Sequence, residues 1–153
     1  MSIDVVDLDH VALRVTDLEE SLAFYRDLLG LPVRDRDRYE AGEVPYVAVV
    51  AGGRHLHLVP TDDEDDGGSD GDGGGDRAAD RDSFDIGGEH ICLLVRSDEM
   101  ETEAEIEALL DEIEAAGYAV EADEPYKRYG AYGRDWAAYV RDPDGRRVEL
   151  KLH

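Results

Sequence analysis

Four histidines and one late glutamate set the chemistry this chain can do. His10 and His90 each open a short alternating run, His55 and His57 share a third, and Glu149 stands in a fourth near the end of the 153 residues. Imidazole and carboxylate together suit Zn, Fe, Mn, Ni or Co, and two His with one carboxylate and open positions form the facial triad of non-heme iron. A single strand histidine is ordinarily a hydrogen-bonded side chain. Here the spacing argues for more.

The sequence repeats itself. Asp9-His10-Val11-Ala12-Leu13-Arg14-Val15 matches Glu89-His90-Ile91-Cys92-Leu93-Leu94-Val95, 80 residues later. Each run alternates, so Val11, Leu13 and Val15, and likewise Ile91, Leu93 and Val95, share one strand face while the histidines take the other. A helix is expected after each. Thr16-Asp17-Leu18-Glu19 has the form of a capping box, with Leu18, Leu22, Tyr25, Leu28 and Leu29 as one apolar stripe before Gly30; Ile106, Leu109, Leu110 and Ile113 repeat it before Gly117. The pattern then predicts strands at about Leu31–Arg38, Val44–Val50 and Arg54–Val59, and at about Tyr118–Ala122, Trp136–Arg141 and Arg146–Leu152.

Each half therefore reads βαβββ. One helix covers one sheet face only, and two such units side by side give an α+β fold: a curved eight-stranded mixed sheet with helices outside and a concave interior. Leu56 and Leu58 belong under the first helix, which turns His55, His57 and Val59 inward. Val148, Leu150 and Leu152 belong under the second, turning Arg147, Glu149 and Lys151 inward. His10, His57, His90 and Glu149 thus occupy matching inward places in the two halves.

Composition bounds the rest. Asp and Glu number 39 against 16 Lys and Arg, for a formal charge of -23, which repels phosphate backbones and anionic lipid, so no nucleic-acid or membrane partner is expected. No run approaches the ~20 apolar residues of a membrane span, and the first ten residues lack the form of a signal peptide, so a cytoplasmic protein is expected. Lone Cys92 excludes an internal disulfide and is expected to be a small buried residue rather than a nucleophile. Fourteen of the cations are Arg, and an acid-rich, Lys-poor chain suits a high-salt (halophilic) cytoplasm, where molar salt screens self-repulsion.

Within residues 1–153, read as one domain with modules at 8–60 and 88–152, the stretch 61–87 stands apart. It carries 11 acids and two Arg with almost no apolar side chain, and is expected to be a flexible loop rather than a calcium loop, for which Asp70, Gly71, Asp72 and Gly73 lack the terminal Glu. The segment from Lys127 to Arg134 is basic, aromatic and punctuated by Gly. It reads either as a lid over an anionic substrate or as a surface turn whose cations neutralise nearby acids. Arg34, Arg36 and Arg38 are expected on one solvent-facing strand face.

These motifs resemble the vicinal oxygen chelate superfamily, the group of glyoxalase I, extradiol dioxygenases and bleomycin resistance proteins. The resemblance rests on Asp9-His10, the run from Asp17 through Phe24-Tyr25 to Gly30, Glu89-His90, and Asp142-Pro143-Asp144-Gly145 leading to Glu149-Leu150. It implies that His10, His90 and Glu149 are metal ligands, with His57 at the fourth position and His55 the competing choice. It also implies a divalent ion that polarises a bidentate oxygen substrate and stabilises a developing enolate, with Glu149 or His57 moving the proton. The activity it favours is a glyoxalase I-like lyase or isomerase on a small-molecule substrate such as a thiol adduct of an α-ketoaldehyde, in a homodimer. An Fe(II) dioxygenase and a non-catalytic resistance protein are its alternatives.

Overall fold

A computed structural model describes residues 7–61, 89–95, 103–121 and 126–152. The acidic run within 61–87 lies, after Thr61, outside the described residues. The chain divides into two compact units, Met1–Gly67 and Gly68–His153.

In the first unit, β1 (His10–Val15) pairs in parallel with β4 (Arg54–Pro60), β4 pairs antiparallel with β3 (Val47–Ala51), and β3 with the short β2 (Val33–Arg34), giving the order β1-β4-β3-β2. Leu13, Val15, Leu56 and Leu58 are buried on one face, as their alternation requires. The helix α1 (Leu18–Leu22) packs on β4. Its cap is Asp17 rather than Thr16, the Asp17 carboxylate accepting from the Glu20 amide at 3.0 Å.

Beyond Leu22 the helix widens into a π-helical stretch over Ala23–Leu28, where the Leu29 amide reaches back five residues to the Phe24 carbonyl. The extra residue in the turn lets the consecutive Phe24 and Tyr25 both bury fully beside Leu22. A 3.6-residue stripe omits Phe24 and places Leu18, Leu28 and Leu29 in the core; all three are half-buried.

The long strand expected over Leu31–Arg38 is corrected to two residues. Asp35 takes a left-handed φ of 60° and ends it, and α2 (Arg36–Glu40) follows. Arg34, Arg36 and Arg38 therefore share no strand face. Surface ion pairs accompany the helix: Arg36 bonds Glu40 at 2.8 Å, an i,i+4 pair, and Glu19 at 2.7 Å, while Arg38 reaches Glu43 at 3.2 Å.

The second unit repeats the plan with the order β5-β8-β7-β6: β5 (Ile91–Val95) parallel to β8 (Arg147–Leu152), β8 antiparallel to β7 (Gly133–Arg141), and β7 to β6 (Tyr126–Gly130). The helix α3 (Glu103–Ala115) packs on β7 and buries Ile106, Leu110 and Ile113. Two expectations are corrected. Tyr118–Ala122, of which Ala122 lies outside the described residues, forms only a single bridge, Val120 to Val140. The basic segment from Lys127 to Arg134, read as a loop, is the β6–β7 hairpin itself.

That hairpin explains its own composition. Lys127 lies over Trp136, Arg128 over Tyr126 and Arg134 over Tyr129, so the cations rest on ring faces along paired strands. From β8 the buried Lys151 ammonium donates to the Arg128 carbonyl, its stem filling the space where any side chain larger than hydrogen at Gly130 would sit. No helix among the described residues is long and apolar enough to cross a membrane.

Candidate metal centre

Strand register fixes which side chains correspond in the two units. Ala12 lies opposite His57 in the β1/β4 pair, and Cys92 lies opposite Glu149 in the β5/β8 pair. His57 and Glu149 are therefore equivalent positions, as are His10 and His90. His55 stands opposite His10, one step out of this correspondence.

In the first unit the His10 and His57 rings stack with centroids 4.2 Å apart and planes 14° from parallel. The His10 Nδ1 edge is taken by the Asp9 carboxylate at 2.6 Å, leaving Nε2 as the free donor edge. That hydrogen bond, with the nearby histidine charges, holds the Asp9 carboxyl below its usual range. Burial, then the neighbouring His10 and His55, lowers the His57 pKa, so His57 stays neutral over a wider pH range, which is the state a metal ligand needs. His55 tilts away at 51°, its ring centre 6.0 Å from that of His57.

In the second unit the His90 Nε2 lies 3.0 Å from the Glu149 Oε2, and Glu149 is only 6% exposed. That separation is a hydrogen bond between the two groups, and an imidazole nitrogen beside a carboxylate oxygen is the donor chemistry of a divalent first-row ion. Tyr139, opposite Glu149 in β7, meets the His90 ring edge-on at 5.8 Å. Burial, then the Glu149 charge, raises the Tyr139 phenol, with hydrogen bonding to Arg128 pulling the other way.

The four sequence-predicted ligands are thus brought together as two pairs, one in each unit. Among the described residues no group of three His, Cys, Asp or Glu is close enough to hold a metal ion. The donor types of each pair suit a divalent first-row ion, neither pair alone fills four positions, and the His10 and His57 rings, stacked 14° from parallel, do not converge on one ion as they stand.

A family model settles the wider relationship, matching residues 7–150 under the description Glyoxalase/Bleomycin resistance protein/Dioxygenase superfamily. The chain belongs to this superfamily. It is 29% identical over 144 residues to a Synechocystis protein described as "Probable lactoylglutathione lyase", covering 92% of this chain and 91% of that one. Among solved structures, an integron cassette protein of V. cholerae superposes with a TM-score of 0.66 at 20% identity, covering 100% of this chain and 99% of the other. The lactoylglutathione lyase of Agrobacterium tumefaciens gives 0.57 at 23% identity, covering 97% and 95%. The superfamily fold, two four-stranded mixed sheets built from βαβββ units, is that described above.

Sequence reasoning missed Tyr46 as a neighbour of His57; the register of β3 places it, and no motif signals it. It also expected Cys92 to be buried, whereas it is exposed. Its thiol nonetheless hydrogen-bonds the Glu149 carboxylate, and local desolvation followed by that negative charge pushes it up to about 11. In metal-free protein, Cys92 alkylation is expected to rise with pH up to about 11 despite the exposure. Glu149→Gln should bring the midpoint part of the way down. A midpoint at an ordinary thiol value in both proteins would refute the contact.

Proposed function

We propose that this superfamily member is a metal-dependent lyase or isomerase of glyoxalase type, acting on a small oxygenated substrate such as the thiol adduct of an α-ketoaldehyde. The ligand set proposed for it is His10, His57, His90 and Glu149. The observation that carries the reading is the buried Glu149 carboxylate held against His90 at 3.0 Å, at the position equivalent to His57. The relative described as a lactoylglutathione lyase supports the reaction class.

A bound divalent ion supplies Lewis-acid polarisation of adjacent substrate oxygens. The protein supplies the base. The Glu149 carboxylate removes the proton from the hemithioacetal carbon and returns it to the neighbouring carbonyl carbon, while the hydroxyl proton moves to the carbonyl oxygen. The hemithioacetal becomes an α-hydroxy thioester with no other reactant. His57, kept neutral by its surroundings, is the second group able to take a proton.

The test loads metal-free protein separately with Ni, Zn, Co, Mn or Fe(II), measures the bound metal, and follows thioester formation from methylglyoxal and glutathione. Near-stoichiometric metal with thioester formation is expected. Oxygen uptake on a catechol without thioester formation would move the chain to the dioxygenases. Protein that takes up none of the five metals would remove the ligand set.

A further inference from the structure

The His57 ring is covered on both faces. Tyr46 stacks on it at 3.8 Å between centroids with planes 4° apart, and His10 stacks at 4.2 Å. Two rings at these distances cannot share one face of an imidazole, so the three form a stack with His57 in the middle. Tyr46 immediately precedes β3, and with Ala48 opposite His57 in the β3/β4 register it reaches the imidazole diagonally, from two residues away.

The second unit shows what the tyrosine is for. There Tyr139 stands opposite Glu149, as Ala48 stands opposite His57, so the residue equivalent to Tyr46 is the fully buried Ala137. The flat side chain is present where the fourth donor is a ring and absent where it is a carboxylate. A histidine χ2 is a broad sp³–sp² torsion that the backbone hardly restrains. The Tyr46 ring confines the His57 plane from one face; the His10 ring, 14° from parallel on the other, has to turn before both imidazoles can face one ion, which lies in the plane of each ring it binds.

We propose that Tyr46 is a positioning residue for the metal centre: it sets the ring plane of His57 and so the direction from which that nitrogen approaches the ion. The inference rests on His57 being a ligand, as assigned under the proposed function. It further requires that flat shape, rather than the phenol hydroxyl, is the working feature of Tyr46.

Four proteins test it: wild type, Tyr46→Phe, Tyr46→Leu and His57→Ala, each titrated with Co(II) while the dissociation constant and the visible d–d absorption are recorded. Tyr46→Phe should bind within about twofold of wild type with the same absorption. Tyr46→Leu should bind about 10–100-fold more weakly, the range for removing a group that orients a ligand, with an altered band. Wild-type affinity in Tyr46→Leu, with weakening in His57→Ala, would overturn the role of Tyr46 and leave the ligand set intact. No binding by wild type, or no weakening in His57→Ala, would instead overturn His57 as a ligand, and this inference with it. A measurement on metal-free wild type needs no folded Leu variant: His57 ring protons, assigned by their loss in His57→Ala, should be shifted upfield by the two covering rings and remain so in Tyr46→Phe. Ordinary exposed shifts would overturn the stack.

Discussion

Replacing Glu149 by Gln is expected to lower kcat/KM for the hemithioacetal by about 10²–10⁴-fold, the contribution of a positioned general base, and to weaken metal binding in the same protein. Gln keeps the length and an acceptor oxygen but loses both the charge and the basicity. Gln can still hydrogen-bond His90 from the same buried position in β8, so the substitution should leave the strand folded. Activity and stability should therefore move apart. Thermal unfolding of metal-free wild type and Glu149→Gln separates the cases: a variant that loses activity together with its fold would make Glu149 structural and leave the reaction without its base. Full activity with normal metal content would transfer the base role away from Glu149.

The parts of the fold that were legible in sequence are those where one physical signal dominates. Strand alternation in His10–Val15, Arg54–Pro60 and Arg147–Leu152 placed Leu13, Leu56, Leu58, Val148, Leu150 and Leu152 in the core and turned His57 and Glu149 to the other face. The 80-residue repeat supplied the equivalence that strand register then displays. Other features depend on local competition that periodicity does not encode. The run from Arg34 to Glu40 has no apolar alternation, and a helix follows Asp35. The π-helical widening moved Phe24 into the core against a stripe drawn at 3.6 residues per turn. Lys127 to Arg134 looked like a loop because of Gly130 and Gly133, yet those two residues lie opposite each other at the end of a hairpin. Tyr46 carried no signal, since cross-strand neighbours follow from register, which one sequence does not specify.

Removal of the Glu121 carboxylate has the largest expected effect on stability, and it bears on the site as well. Its two oxygens serve two guanidiniums: Arg147 Nε donates to Oε2 at 2.6 Å and Arg141 pairs with Oε1. The side chains are 14% exposed for Glu121, 6% for Arg147 and 19% for Arg141, so the charges are largely withdrawn from water. Stripping one partner from such a group leaves uncompensated buried charge, and Glu121→Ala should cost about 3–5 kcal/mol, or roughly 6–20 °C in Tm for a chain of this size. The route from here to the metal centre is short. Glu121 holds the Arg147 guanidinium 4.6 Å above the Tyr139 ring, and the edge of that ring meets His90. Combining Glu121→Ala with Arg147→Met removes one of the two stranded charges, the more buried one, and the double variant should regain part of the lost stability. Equal instability in single and double variants would mean that the stranded Arg147 charge is not what destabilises Glu121→Ala. In the recovered double variant, Tyr139 lacks its covering cation while His90 and Glu149 are unchanged. Metal affinity measured there isolates how much of the site's geometry comes from the stacked guanidinium.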